Sequence, residues 1–251
     1  MRHATIAVAA LVATAGIAGA QTEVLYTTDG DGARLTRYQG GLGTQTTTHV
    51  RGYPITVDST VWIGDYNGAQ QNSIEYDLNG VATGNTVPYS HVFAVDATSD
   101  GTTGYELGNA FSAQGTVYSL GADLDSTNRT ALFDVTGDTR FVGITFDHAM
   151  GTLWISSRSN IWQYDLSGNL LSSFTHSEGD GHALAYESST QTLWTARGST
   201  LWQYDRSGNL LQTLNTNTNA GNNWGAEFAV PAPSALALLG LGGLAAARRR
   251  R

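Results

Sequence analysis

Four carboxylates each follow a short apolar triplet: Asp58 after Ile55-Thr56-Val57, Asp96 after Phe93-Ala94-Val95, Asp147 after Ile144-Thr145-Phe146 and Glu187 after Leu184-Ala185-Tyr186. Acids placed this way can do two kinds of chemistry. If several oxygens converge on one point they hold a hard cation such as Ca²⁺. If two of them sit in unlike surroundings, one serves as acid and the other as base or nucleophile, as in glycoside hydrolysis or a cation-dependent lactonase-like hydrolysis. The alternative is structural, each acid accepting hydrogen bonds from its own turn. Four acids in near-identical settings lack the divergent environments that separate an acid from a base.

A second cluster, His176-Ser177-Glu178-Gly179-Asp180-Gly181-His182, sets four ligand types at alternate positions. In an extended conformation His176, Glu178, Asp180 and His182 would face one way and could take Zn²⁺ or another transition ion. Its two glycines equally suit a loop. Asp123-Leu124-Asp125 imitates the start of a calcium loop, but Asn128 stands where that loop needs its turn-making glycine. The chain has no cysteine, no Gly-x-Ser-x-Gly elbow, no phosphate loop and no His-Glu-x-x-His. No assigned catalytic residue and no required cofactor emerge from it.

What must position these groups is a tandem repeat. Thr152-Leu153-Trp154 returns as Thr192-Leu193-Trp194, and Trp162-Gln163-Tyr164-Asp165 as Trp202-Gln203-Tyr204-Asp205. Residues 151–174 and 191–214 share thirteen identities in 24 positions. Fainter copies begin at Val24, Val61 and Val117. Each copy alternates Val, Ile, Tyr, Trp and Thr runs with Gly, Asn, Asp and Ser clusters, the grammar of antiparallel hairpins. Four strands in about 40 residues is the size of one propeller blade. The expected fold is therefore all-β, a five-bladed β-propeller of four-stranded antiparallel blades, with six blades as the alternative.

The first copy lacks its first strand, and the segment Asn223 to Val230 has no copy of its own. Pairing the two would close the ring. Asp77, Asp134, Asp165 and Asp205 precede Ser-Gly, Asn-Gly or Thr-Gly turns and are expected to cap them, a pattern that resembles the repeats of NHL-like propellers. Trp62, Trp154, Trp162, Trp194 and Trp202 should fill the wedges between blades, which leaves Trp224 as the ring best placed to stack on a sugar.

The chain has 13 arginines and no lysine. Arg2 and Arg248 to Arg251 lie at the two ends, so residues 21–229 carry eight arginines against all 21 acids, a net −13. Such a surface repels nucleic acid. Residues 1–20 have the short positive start, apolar run and small-residue end of a signal peptide. Residues 230–251 run from Val230-Pro231-Ala232-Pro233 through a short apolar stretch, expected to form a hydrophobic helix, to Arg248-Arg249-Arg250-Arg251. That is the physics of a transient stop-transfer signal.

The order of Val230, Pro231, Pro233, apolar helix and arginine cluster resembles the PEP-CTERM sorting signal. The resemblance covers the last 22 residues and implies secretion, transient inner-membrane anchoring, cleavage by an exosortase-like enzyme and delivery to the cell surface or extracellular matrix. Three segments follow: a signal peptide at 1–20, a propeller at 21–229 and a sorting signal at 230–251. The expected function is a non-catalytic interaction module for extracellular polysaccharide or another surface protein, the alternatives being the two hydrolytic chemistries above.

Overall fold

The computed structural model describes residues 23–29, 33–48, 52–65, 71–90, 93–108, 114–136, 140–176, 183–218 and 222–229. The proposed signal peptide, the tail beyond Ala229, and Glu178, Asp180 and His182 lie outside them.

The described chain forms twenty strands in five four-stranded antiparallel sheets. β1 (Leu25–Asp29), β2 (Arg34–Gln39) and β3 (Leu42–Thr47) make three strands of the first blade. β4 (Gly52–Val57), β5 (Val61–Asp65), β6 (Asn72–Tyr76) and β7 (Ala82–Pro88) make the second. β8 (Asp96–Ser99), β9 (Thr103–Gly108), β10 (Gln114–Gly121) and β11 (Thr130–Thr136) make the third. β12 (Phe141–Asp147), β13 (Thr152–Ser157), β14 (Asn160–Tyr164) and β15 (Leu170–Thr175) make the fourth. β16 (Ala183–Glu187), β17 (Thr192–Arg197), β18 (Thr200–Tyr204) and β19 (Leu210–Asn215) make the fifth, and β20 (Gly225–Phe228) returns to the first.

β20 pairs antiparallel with β1, Leu25 opposite Phe228 and Thr27 opposite Ala226. The inner strands then touch in a closed circle, β4 on β8, β8 on β12, β12 on β16, β16 on β20 and β20 on β4. The ring has five blades, and the long third repeat hides no sixth. Closure leaves each blade's inner edge facing the ring axis, flanked by the inner strands of its two neighbours, and it ties the ends of the ring together without a disulfide.

The core lies between blades. Trp154 of the fourth blade is fully buried against Leu184, Tyr186, Leu193 and Tyr204 of the fifth. Trp194 of the fifth packs into the cluster that holds Leu25, Tyr38 and Phe228 of the first. Each such ring removes on the order of 200 Å² from water, several kcal/mol by area. Hydroxyls fasten consecutive inner strands: Thr98 Oγ1 accepts from Phe146 N at 2.9 Å and Thr145 Oγ1 from Tyr186 N at 3.0 Å. At the rim the Ser-Gly turns do the same through shape. Gly168 and Gly208 hold φ of 84° and 85°, and a Cβ there would press onto Phe133 and Phe174 of the preceding blade. Only glycine meets both demands.

Three of the four expected turn caps are present. Asp77, Asp165 and Asp205 each accept two backbone N–H bonds from their own turn, at 2.8 to 2.9 Å. Asp134 is the exception. It lies within β11 and accepts from the Thr116 hydroxyl at 2.8 Å and the Gln114 amide at 2.9 Å, so it braces a strand pair.

Candidate functional site

The strand-end acids of the fourth and fifth blades are buried and fully engaged. Asp147 accepts from Ala149 N at 3.0 Å, Met150 N at 3.1 Å and Trp154 Nε1 at 3.3 Å. Arg206, from a turn of the next blade, pairs with it at 2.7 Å and also bonds the Tyr186 hydroxyl. Burial pushes the Tyr186 phenol up, and the Asp147 charge adds to the effect. Glu187 repeats the design. It accepts from Trp194 Nε1 at 3.0 Å, Thr190 Oγ1 at 2.7 Å and Glu23 N at 3.2 Å. In both blades the acid's main service is to satisfy a buried indole N–H, which would otherwise cost about 1–3 kcal/mol.

Asp96 does not belong to this set. It is the first residue of β8, and the strand-end acid of the third blade is Asp100, which accepts from Thr102 N, Thr103 N and the Tyr105 hydroxyl. The triplet Phe93-Ala94-Val95 mimics an inner strand, but the register aligns Thr98 with Thr145 through their matching interblade bonds. Asp96 instead sits at the ring axis, accepting from Ala97 N, Ile144 N and Ala226 N on three different blades. Beside it is Glu227 of β20, whose Oε1 lies 3.5 Å from the Thr145 hydroxyl and whose Oε2 is buried with no partner among the described residues. Burial pushes both carboxyls well above the carboxylate range, and the Glu227 charge raises Asp96 further. Sequence reasoning missed Glu227; its signal was an acid at a position that Thr56, Thr98 and Thr145 occupy in other blades.

Asp58, Asp100 and Asp147 do gather at one end of the ring, where all three act electrostatically on His148. The desolvation of His148 outweighs them and holds its imidazole below the usual value. Among the described residues, however, no three His, Asp or Glu side chains are arranged to hold a metal ion. His176, from the proposed zinc cluster, is buried with its Nε2 3.1 Å from the Ser157 carbonyl.

The second blade breaks the pattern. The turn after Asp58 is shorter than that after Asp147, so Trp62 follows its acid by four residues where Trp154 follows by seven. Asp58 is exposed, and Trp62 is half-buried at the position where Trp154 and Trp194 are sealed. Among the described residues neither the Asp58 carboxylate nor the Trp62 indole N–H has a hydrogen-bond partner. Both line a cavity of about 480 Å³ between the second and third blades, with Thr56, Thr60, Glu75, Thr102 and Asp123. Glu75 accepts from the Thr83 hydroxyl at 2.6 Å and the Asn85 amide at 2.7 Å, and these bonds, the Thr83 one first, hold its carboxyl below the usual value. Trp224, expected to be the exposed ring, is buried against Tyr53 and Val142 with Arg140 over its face.

Residues 229–251 match the PEP-CTERM protein-sorting motif. The chain therefore ends in a PEP-CTERM signal. That signal implies export, transient membrane anchoring and processing by an exosortase-like system, and its match includes Val230, Pro231, Pro233 and Arg248 to Arg251. No curated protein matches this chain significantly. Among the solved structures similar to it in fold are the following two. A nidogen/laminin complex is 13% identical, covering 83% of this chain and 98% of that one, with a TM-score of 0.53. A functionally unknown protein from Desulfotomaculum acetoxidans is 12% identical, covering 85% and 87%, with a TM-score of 0.51.

Proposed function

We propose that this exported propeller is a binding module for polysaccharide at the cell surface or in the extracellular matrix, and that its ligand enters the cavity between the second and third blades. The observation that carries the reading is internal to the molecule. The tryptophan and acid that the fourth and fifth blades spend on each other are unspent in the second, where they line an open cavity. A half-exposed indole beside carboxylates and hydroxyls offers a sugar both an apolar platform and hydrogen-bond partners.

Catalysis is less well supported. Asp147 and Glu187 are committed to N–H donors and to Arg206, and Asp96 and Glu227 are sealed at the axis. The fold likeness to a nidogen/laminin complex supports a protein partner as the second reading.

Titration of the full-length protein, held in a mild non-ionic detergent, with a panel of bacterial and commercial oligosaccharides tests the proposal. Binding is expected for at least one, and Trp62→Ala should weaken it about tenfold or more, since stacking on an aromatic face is worth roughly 1–3 kcal/mol by analogy with other planar ligands. Failure of the whole panel, or glycoside turnover lost in Asp147→Asn, would reverse it.

A further inference from the structure

Resting on that reading, we infer that the cavity between the second and third blades takes a cationic sugar, an amino-sugar unit of a partly N-deacetylated polysaccharide. Among the described residues the lining holds three carboxylates, Asp58, Glu75 and Asp123, and no cationic side chain. Hydroxyls of Thr60 and Thr102 stand among them, and the half-buried Trp62 supplies a face. Concave surfaces of one sign with low-dielectric walls focus the field onto a ligand of the other sign. An ammonium near an indole adds a cation–π attraction that a neutral sugar lacks. Uronate or phosphate-bearing polymers meet the opposite field.

Three features favour an ammonium over a metal ion. The described residues hold no three acids arranged around one point. Glu75 spends one oxygen on Thr83 and Asn85. Asp123 accepts from Asp125 N at 3.0 Å. These carboxylates are dispersed around a space of sugar size, an arrangement that suits a ligand carrying its charge on a larger frame.

The discriminating pair of probes is a β-1,4-linked glucosamine tetramer and the same tetramer fully N-acetylated, titrated calorimetrically into the full-length protein at low and high salt. The amine tetramer should bind at least about tenfold more tightly at low ionic strength, with the preference shrinking toward unity near 0.5 M salt. Asp58→Asn with Glu75→Gln should reduce the preference several-fold. Asp165→Asn with Asp205→Asn, half-buried acids of distant turns whose capping oxygen the asparagine keeps, should leave it unchanged, which separates the cavity from general attraction to an acidic surface. Circular dichroism melts establish that each variant is folded.

Equal affinity for the two tetramers overturns the inference and leaves the binding module standing. Loss of preference in the distant pair overturns it in favour of diffuse attraction. Calcium binding that disappears in Asp58→Asn with Glu75→Gln and displaces the amine overturns it in favour of a metal site. Failure of both tetramers and of every neutral oligosaccharide removes the module reading as well.

Discussion

A buried indole N–H and a buried carboxylate are each costly alone and inexpensive together, and the Trp154–Asp147 and Trp194–Glu187 pairs rest on that balance. Asp147 also pairs with the Arg206 guanidinium. Arg206→Ala should cost about 2 kcal/mol in urea unfolding, below the 3–5 kcal/mol of a fully buried broken pair, because Asp147 keeps three N–H donors and Arg206 is partly exposed. Arg206→Lys, which keeps the charge and loses the fork, should fall between the two. The axial acids behave oppositely. Glu227 has its folded-state carboxyl raised well above 4.5, so across the window from there up to the folded value the unfolded chain binds fewer protons and stability falls as pH rises. Glu227→Gln should reduce that slope and give a higher melting temperature than wild type near neutral pH. Asp96, raised as well, keeps part of the slope. Melting curves between pH 4.5 and 8 that run parallel in the two proteins would refute this account.

At the level of strands, the Val, Ile, Trp and Tyr runs of the fourth repeat announce a four-stranded unit and β12 to β15 form it, because those residues are strong β formers bounded by Ser-Gly and Met-Gly turns. The missing first strand and the orphan near Trp224 disclosed the closure for the same reason, a count of strands per blade. Other features were not legible. Asp96 was misplaced because Phe93-Ala94-Val95 has the composition of an inner strand, and only interblade bonds from Thr98 set the true register. Exposure of Trp62 depends on a turn shortened relative to its counterparts, whose effect on ring depth no composition reveals. Trp224 lies outside the repeat, which argues for an exposed ring, yet Tyr53 and Arg140 cover it. The closure is directly testable. With no native cysteine to compete, Thr27→Cys and Ala226→Cys, paired across β1 and β20, should oxidise to an intramolecular disulfide. Closing a loop of this length should raise stability by up to about 5 kcal/mol relative to the reduced form. Free thiols after oxidation would mean that the two strands do not pair, and cross-linked dimers would place them on different molecules.

On the scale of the whole chain, the arginines at the C-terminus and the acids of the body perform separate tasks. The body carries a net −13 between residues 21 and 229, and carboxylates line its cavity. The four terminal arginines belong to the PEP-CTERM motif, which implies export, transient membrane anchoring and processing, and charge following a short apolar run resists translocation. Replacing Arg248 to Arg251 by Ser should therefore change fate without changing fold. In the native host the wild-type protein should be recovered outside the cell with an intact mass short of both the first twenty residues and the apolar tail. The variant should retain the tail's mass and shift to the membrane or periplasmic fraction, while its purified form melts within about 1 °C of wild type, as expected for surface changes worth under ~0.5 kcal/mol. A variant released at the wild-type mass would mean that the arginines are dispensable and that Val230, Pro231 and Pro233 with the apolar stretch suffice for processing.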